Sequence, residues 1–232
     1  AELGAAQGYA NEDGPDAYVL AQANRDSKKV TLISLPANLR LSYGDGQYGR
    51  LRDAAAVDDA TLISAVSRFA GVDIAHYAKT NVENIGTMID TLGGIALTLS
   101  EEIDDPRAGD VFIPAGQQTI GSGQIATLLR AYNYTDGKTG QARVQCSVIA
   151  AILEKLAGGQ GAIADATMID SISGTISTDL TSQQALDMAQ AFSGITASEV
   201  DIERVPGSET QRDGVTVFQA YADSWTDLME RI

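Results

Sequence analysis

Ile74-Ala75-His76-Tyr77, then Asn81-Val82-Glu83-Asn84-Ile85-Gly86-Thr87-Met88-Ile89-Asp90-Thr91-Leu92-Gly93-Gly94, then Ile95-Ala96-Leu97-Thr98-Leu99 form one nearly unbroken block. Its first part reads as a strand entry. Val82, Ile85, Met88, Ile89 and Leu92 recur at the three-and-four spacing of a single helical face, and Gly93 supplies the stop. The alternation that follows predicts a buried strand over Ile95 to Leu99. Gly93-Gly94 fits a helix end with close packing behind it rather than a phosphate loop. Asp90, just ahead of that end, suits the capping of backbone amides, and His76 suits a ring hydrogen bond to a neighbouring loop.

Outward from this block the same alternation continues. Ala17 to Gln22 and Lys28 to Leu35 are β-rich runs separated by Asn24-Arg25-Asp26-Ser27, which predicts two paired strands and a turn. Ser42 to Gly49 is rich in Gly and Tyr and reads as a loop. Asp58-Asp59, the apolar positions Leu62, Ile63, Val66, Phe69 and Ala70, and Gly71 mark a helix with acids at its positive end. Asp104 to Gly121, with Pro106 and Pro114, reads as loop. Ser122 then opens a helix burying Ile125, Leu128 and Leu129. A loop from Asn133 to Gly140 precedes a long helix with Val148, Ile149, Ile152, Leu153 and Leu156 inward, stopped by Gly158-Gly159. Thr181 and Gln184 form a capping-box signal for a helix over Leu186, Ala189 and Phe192. A strand pair, Val200 to Val205 with Val215 to Tyr221, and a short helix capped by Asp223 with Trp225, Leu228 and Met229 inward complete the chain. Strands interleaved with helices predict an α/β fold: one domain of three layers, α-β-α, around a central mixed β-sheet, over residues 16–232 behind an N-terminal arm of residues 1–15.

Composition narrows the function classes. At 232 residues and 44% hydrophobic content, the chain is long enough for one sizeable core. A formal net charge of −15 repels phosphate polymers, and no run of Lys and Arg offers a nucleic-acid footprint. Cys146 is the single cysteine, which excludes an intrachain disulfide and a multi-cysteine zinc site. His76 is the single histidine, and no nucleophile elbow accompanies it. No apolar run reaches the roughly 18 residues that span a bilayer. A membrane-proximal segment upstream of Ala1 is the expectation.

The opening block, with its His76-Tyr77 and its Asp90 to Ile95 run, resembles the signature of the LytR-CpsA-Psr family, "idHY" followed by "lvDalGGV". Further fragments keep the family's order. Ser34-Leu35-Pro36-Ala37-Asn38 falls where the family has "SIPRD", and Arg50-Leu51-Arg52-Asp53-Ala54 where it has "KInaA". Gly116 to Arg130 follows "G.q.LdG.qAL.yvR", Gly140 to Gln145 lies at "GR..RQ", and Val205-Pro206-Gly207 echoes "lPG". The resemblance implies a phosphotransferase at the extracellular face of the bacterial membrane, acting in cell-wall biogenesis. It would move a glycopolymer from a polyprenyl phosphate or pyrophosphate lipid to the wall. Such a site needs an apolar tunnel for the lipid, cations for the phosphates, and Mg2+. By this likeness Arg130 and Gln145 are the catalytic candidates, Arg50, Arg52, Arg130, Arg143 and Gln141 the phosphate contacts, and Asp16 a magnesium ligand.

Several family charges are replaced. Ala37 stands in the place of a phosphate-gripping arginine, Asn38 in that of an aspartate, Tyr132 in that of the second arginine of the helix-end pair, and Gln141 and Val144 in those of the "GR..RQ" arginines. Spacing i, i+3, i+4 puts the Gln141, Val144 and Gln145 positions on one helical face. Arg143, two residues from Gln145, points about 200° away from it and rejoins the site only if the helix starts later. Losing one preorganised donor typically costs about 100- to 1000-fold in rate. Two readings therefore stand: a transferase, or a catalytically lapsed lipid- or phosphate-binding or regulatory module of the same fold. A third is an interaction domain with a collapsed tunnel. The acid run Glu101-Glu102-Ile103-Asp104-Asp105 reads as a solvated turn. Tyr43, Tyr48, Tyr132 and Tyr134 offer either faces for sugars or cover for loop backbone. Restoring arginine at 37, 141 and 144 together is expected to tighten pyrophosphate binding in a direct titration; unchanged affinity would place these positions outside the site.

Overall fold

The computed structural model describes residues 17–159 and 164–232. Strands β1 (Tyr18–Asn24) and β2 (Lys29–Leu35) pair antiparallel, from Tyr18 opposite Leu35 to Asn24 opposite Lys29. The Asn24 side chain accepts from the backbone N–H groups of Asp26 and Ser27, which makes the polar segment between them the expected turn. Beyond Pro36 the expected loop is a hairpin of β3 (Arg40–Gly44) and β4 (Gln47–Arg50). Asp45 and Gly46 take the positive φ that its tight reversal demands. Helices α1 (Leu51–Val57) and α2 (Asp59–Ala70) follow, α2 capped by the Asp58 carboxylate on Thr61 N and ended by Gly71 in the left-handed region.

In the opening block the helix and second strand are α3 (Val82–Thr91) and β6 (Ile95–Leu99), but the expected strand entry at Ile74 to Tyr77 is irregular and a two-residue strand, β5 (Ala78–Lys79), follows it instead. Then come β7 (Gly116–Ile120), α4 (Ser122–Arg130), α5 (Lys138–Leu156), α6 (Ala166–Ser173), β8 (Ser177–Thr178) and α7 (Ser182–Ala191). The chain closes with β9 (Val200–Arg204), β10 (Gly207–Arg212), β11 (Val215–Ala220) and α8 (Ala222–Arg231).

Two expectations are corrected here. The stretch from Asp104 to Gly121 is not all loop: β7 pairs antiparallel with β6. Its Gln117, Gln118 and Thr119 lack the apolar signature because the strand buries little besides Ile120. The terminal strands do not pair with each other either. β9 runs parallel to β2, Val30 opposite Val200 through Ser34 opposite Arg204, while β11 pairs with β10. Asp213-Gly214, both at positive φ, turn that second hairpin.

Three layers meet at β2. Leu32 and Ile33 are both fully buried and, being neighbours in a strand, point to opposite faces. Leu32 packs in a cluster with Cys146 and Ala150 of α5; Ile33 packs with Leu51, Ala54 and Ala65 of α1 and α2 and with Trp225 of α8. The sheet β1-β2-β9 is mixed and covered on both sides, as the alternation of strands and helices predicts. Along its length α5 also supports β6, where Val148 and Ala151 join Ile95, Leu97, Leu99, Ile125 and Leu128 in a third cluster.

Smaller contacts hold α3 in place. A Cβ at Gly86 would lie 3.2 Å from the Ser122 Cβ, so glycine allows α3 to approach α4 closely. Asp90 Oδ1 accepts from Ser122 N at 3.0 Å, and the two hydrogen bonds from Ser122 keep its carboxyl below the usual range. His76 Nδ1 lies 3.1 Å from Asp179 Oδ2, whose other oxygen accepts from Tyr77 N, so the partner of the ring is a carboxylate rather than a loop carbonyl. Burial pushes the Cys146 thiol up to about 12, which leaves it a small hydrophobe.

Truncation of Ile33 to alanine is expected to cost about 2–5 kcal/mol of unfolding free energy, measured by denaturant titration, because both helical layers hold the cavity open. Thr98→Ala, on the exposed side of β6, serves as the near-neutral control.

Candidate functional site

At its C-terminal end β2 runs into Pro36-Ala37-Asn38-Leu39, and the backbone there is fastened on two sides. Leu39 O accepts from Leu51 N and Ala37 O from Arg52 N, at 2.8 and 2.9 Å, so the loop carbonyls receive the first amides of α1. Asn38 O accepts from Phe218 N of β11 at 2.8 Å. This corner forms one wall of a cavity of about 790 Å³, whose other walls are the first turns of α5, Tyr132, and the β9–β10 connection. The cavity lies beyond the carboxyl ends of the parallel pair β2 and β9, the usual place for a ligand in such sheets.

Its charge is opposite to that of the whole chain. Arg50, Arg52, Lys138 and Arg204 line it, against Glu209 as the one acidic lining residue among the described residues. The Arg50 guanidinium forks onto Asp53, Nε to Oδ2 at 2.8 Å and Nη2 to Oδ1 at 2.7 Å, and holds that carboxyl below the usual range. Arg52 differs: its Nε is buried with no hydrogen-bond partner. A buried unpaired donor on a charged group costs about 1–3 kcal/mol or more, a cost that a bound anion would remove. Arg204 donates to Thr139 Oγ1, while Lys138 lies 3.2 Å from Glu209 Oε1.

Ala37, Asn38, Arg50, Arg52, Tyr132, Gln141 and Gln145 all line this one cavity. Other candidates lie elsewhere. Because α5 begins at Lys138, the stripe facing the cavity is Lys138, Gln141, Ala142 and Gln145. Arg143 is therefore turned away, donating to Asp136 Oδ2 at 2.7 Å, and Val144 packs toward the β6 core. Both line a separate cavity of about 450 Å³ between α5, β6 and Ile202. That corrects the single-face reading for Val144 alone: Gln141 and Gln145 share the cavity-facing stripe with Lys138 and Ala142, and Val144 lies about 60° round the helix beyond Gln141, outside it. Arg130 is not in the cavity lining either; its Nε and Nη2 are buried without a partner. Gln141 and Gln145 both donate through Nε2 to Leu129 O, at 3.2 and 3.1 Å, so their amide nitrogens close the end of α4.

Asp16 lies outside the described residues, although the adjoining Ala17 lines the cavity. Among the described residues no group of three His, Cys, Asp or Glu is placed to hold a metal ion, and Glu209 is already engaged by Lys138 and by Asn38 Nδ2. The acid run is not simply a solvated turn: Asp105 is 3% exposed and accepts from Tyr132 N and Arg107 N, which fixes the backbone beside the cavity. Of the tyrosines, Tyr132 lines the cavity, Tyr134 is buried on Leu128 O, and Tyr43 and Tyr48 belong to the β3–β4 hairpin.

The LytR_cpsA_psr family model matches residues 7–232. The chain belongs to the LytR-CpsA-Psr family. Among its relatives, TagU of Bacillus cereus, named a polyisoprenyl-teichoic acid–peptidoglycan teichoic acid transferase, is 20% identical over 96% of this chain and 73% of its own length. Cell wall biosynthesis protein LcpA of Corynebacterium glutamicum is 27% identical over 53% of this chain, and that match spans only 29% of LcpA. Solved structures share the fold. Bacillus subtilis TagV superposes with a TM-score of 0.80 at 17% identity, covering 97% of this chain and 91% of TagV. TagT bound to LIIa-WTA gives 0.79 at 17%, covering 94% and 83%.

Lys138, Arg204 and Glu209 are the cavity residues that sequence reasoning missed. Lys138 carried a signal, standing three before Gln141 and seven before Gln145, which is one helical face once the helix includes it. Arg204 carried none, because its position depends on β9 pairing with β2. With the face of α5 known, Ala37→Arg with Gln141→Arg is expected to tighten pyrophosphate binding about tenfold or more in calorimetric titration. Adding Val144→Arg should contribute nothing further.

Proposed function

We propose that this domain binds the phosphate-bearing end of a polyprenyl-linked cell-wall glycopolymer at the outer face of the bacterial membrane, and that it serves the transfer of that polymer to the wall. The observation that carries this reading is the buried, unpartnered Nε of Arg52 in the wall of a cationic cavity at the carboxyl ends of β2 and β9. Family membership and relatives named for teichoic acid transfer and cell wall biosynthesis support the choice of ligand. No helix of the described residues is long and apolar enough to cross a membrane.

In the transfer reaction an acceptor hydroxyl attacks the polymer-side phosphorus, the bond to the bridging oxygen breaks, and polyprenyl phosphate leaves with that oxygen. Negative charge gathers on the bridging oxygen and the equatorial oxygens as this happens. Arg52, Lys138 and Arg204 are the side chains of this cavity positioned to hold that charge. Ala37 offers no donor, and the Gln141 and Gln145 amides are committed to Leu129 O. Those two features favour the second reading, a module that holds the lipid-linked phosphate with little or no turnover.

Arg52→Ala is expected to weaken binding of a short-chain polyprenyl pyrophosphate about 10- to 100-fold, the worth of one charge-assisted hydrogen bond. Surface plasmon resonance on detergent-solubilised lipid would measure it, and undiminished affinity would remove the reading. Release of polyprenyl phosphate, followed by mass spectrometry with a lipid-linked polymer and wall fragments as substrates, separates the transferase from the module.

A further inference from the structure

Glu209 occupies an unusual position for an acid. It projects from β10 at the cavity, where its Oε1 accepts from Lys138 Nζ on α5 and from Asn38 Nδ2 on the loop after β2, each at 3.2 Å. Those two donors come from elements 100 residues apart in sequence, Asn38 and Lys138, and converge on one oxygen. Convergent donation from an ammonium and an amide is what a phosphate oxygen requires. Arg204 lines the same cavity, held by Thr139 Oγ1 at 2.6 Å, one residue along α5 from Lys138. Opposite stands the start of α1, with Arg52 and its unpaired Nε.

We infer that Lys138 and Asn38 form a second phosphate subsite, distinct from Arg52, and that Glu209 fills it in the free protein as a resident anion that the ligand's phosphate displaces. The inference rests on the phosphate-binding reading of the cavity and adds to it the residues that select a ligand with two linked phosphates. Replacement is easy on physical grounds. The Lys138 side chain is 74% exposed and that of Glu209 47%, so their pairing is a solvent-screened contact of small net worth. The carboxyl of Glu209 lies below the usual range, chiefly through its hydrogen bond from Lys138, so the acid is ionised and competes at neutral pH. Each phosphate of a doubly esterified pyrophosphate carries one negative charge, as the carboxylate does, but offers those donors more acceptor oxygens, and its linked neighbour at Arg52 makes its delivery intramolecular. A single phosphate reaching only Arg52 leaves Glu209 in place; a pyrophosphate reaches both subsites and dislodges it.

The test is calorimetric titration of inorganic pyrophosphate and of inorganic phosphate, in chelator, into the wild type, Glu209→Gln, Lys138→Met and the double variant. All these side chains are solvent-exposed, and circular dichroism checks that each variant is folded. Glu209→Gln should tighten pyrophosphate binding about three- to fivefold, the scale of an exposed ion pair, and should change phosphate binding less. Lys138→Met should weaken pyrophosphate binding, and in its presence Glu209→Gln should lose its effect. Unchanged or weaker pyrophosphate binding by Glu209→Gln, or a gain that survives Lys138→Met, would overturn the resident-anion role. If Arg52→Ala still weakens pyrophosphate binding in that case, the phosphate-binding reading stands without the second subsite. Failure of the wild type to bind either anion would remove both.

Discussion

Burial of β2 on both faces is the constraint on which the rest of the molecule depends. Leu32 and Ile33 have no exposed surface and point to opposite sides, so helices must cover the sheet above and below. Each fully buried side chain of this size contributes about 1.5–3 kcal/mol, which outweighs any single surface contact in the chain. Once β2 is enclosed, the C-terminal end of the strand is the first place where its backbone can leave the core. The residues after it, Pro36 to Leu39, therefore have to make a corner at the surface. That corner receives the first amides of α1 and the Phe218 amide, and a cavity is left beside it.

The charge pattern follows from the same geometry. A chain with net charge −15 gathers Arg50, Arg52, Lys138 and Arg204 around one hollow, brought there from three separate places in the fold. Arg50 and Arg52 arrive through the start of α1, Lys138 through the first turn of α5, and Arg204 through the end of β9. Focusing positive potential in a cleft of an otherwise acidic protein favours a compact anion and disfavours a long polyanion, which would meet repulsion outside the cleft. The site thus suits a compact anion better than a nucleic acid.

Relative to the family pattern, this site holds fewer arginines, and the cations that remain stand partly at other positions. Ala37 and Gln141 occupy the cavity wall without charge, whereas Lys138, one turn earlier on α5, faces inward. Lys is a compact, mobile point charge without the fork of Arg, so it can hold a phosphate but orients it less strictly. A site built this way keeps affinity more readily than it keeps a fixed in-line geometry.

By itself the sequence determined the layering, the major helices, and the approximate membership of the site. The periods of 3.6 and 2 identified α2, α3, α4, α5, β2 and β6, because each buries a run of apolar side chains, whereas β1 and α7 were marked by β-rich composition and by a capping box. It also carried the Asp213-Gly214 turn, which marks the β10–β11 hairpin, although the apolar runs on either side of that hairpin drew the pairing to β9 instead. Only the tertiary structure decided which strand β9 joins, which polar strand completes β6, and on which side of α5 each residue stands. Strand pairing and helix rotation are set by contacts between distant segments, and a one-residue change in where α5 begins turns its face by about 100°. For that reason Arg143 and Val144 face a second cavity, while Lys138 and Arg204 face the first.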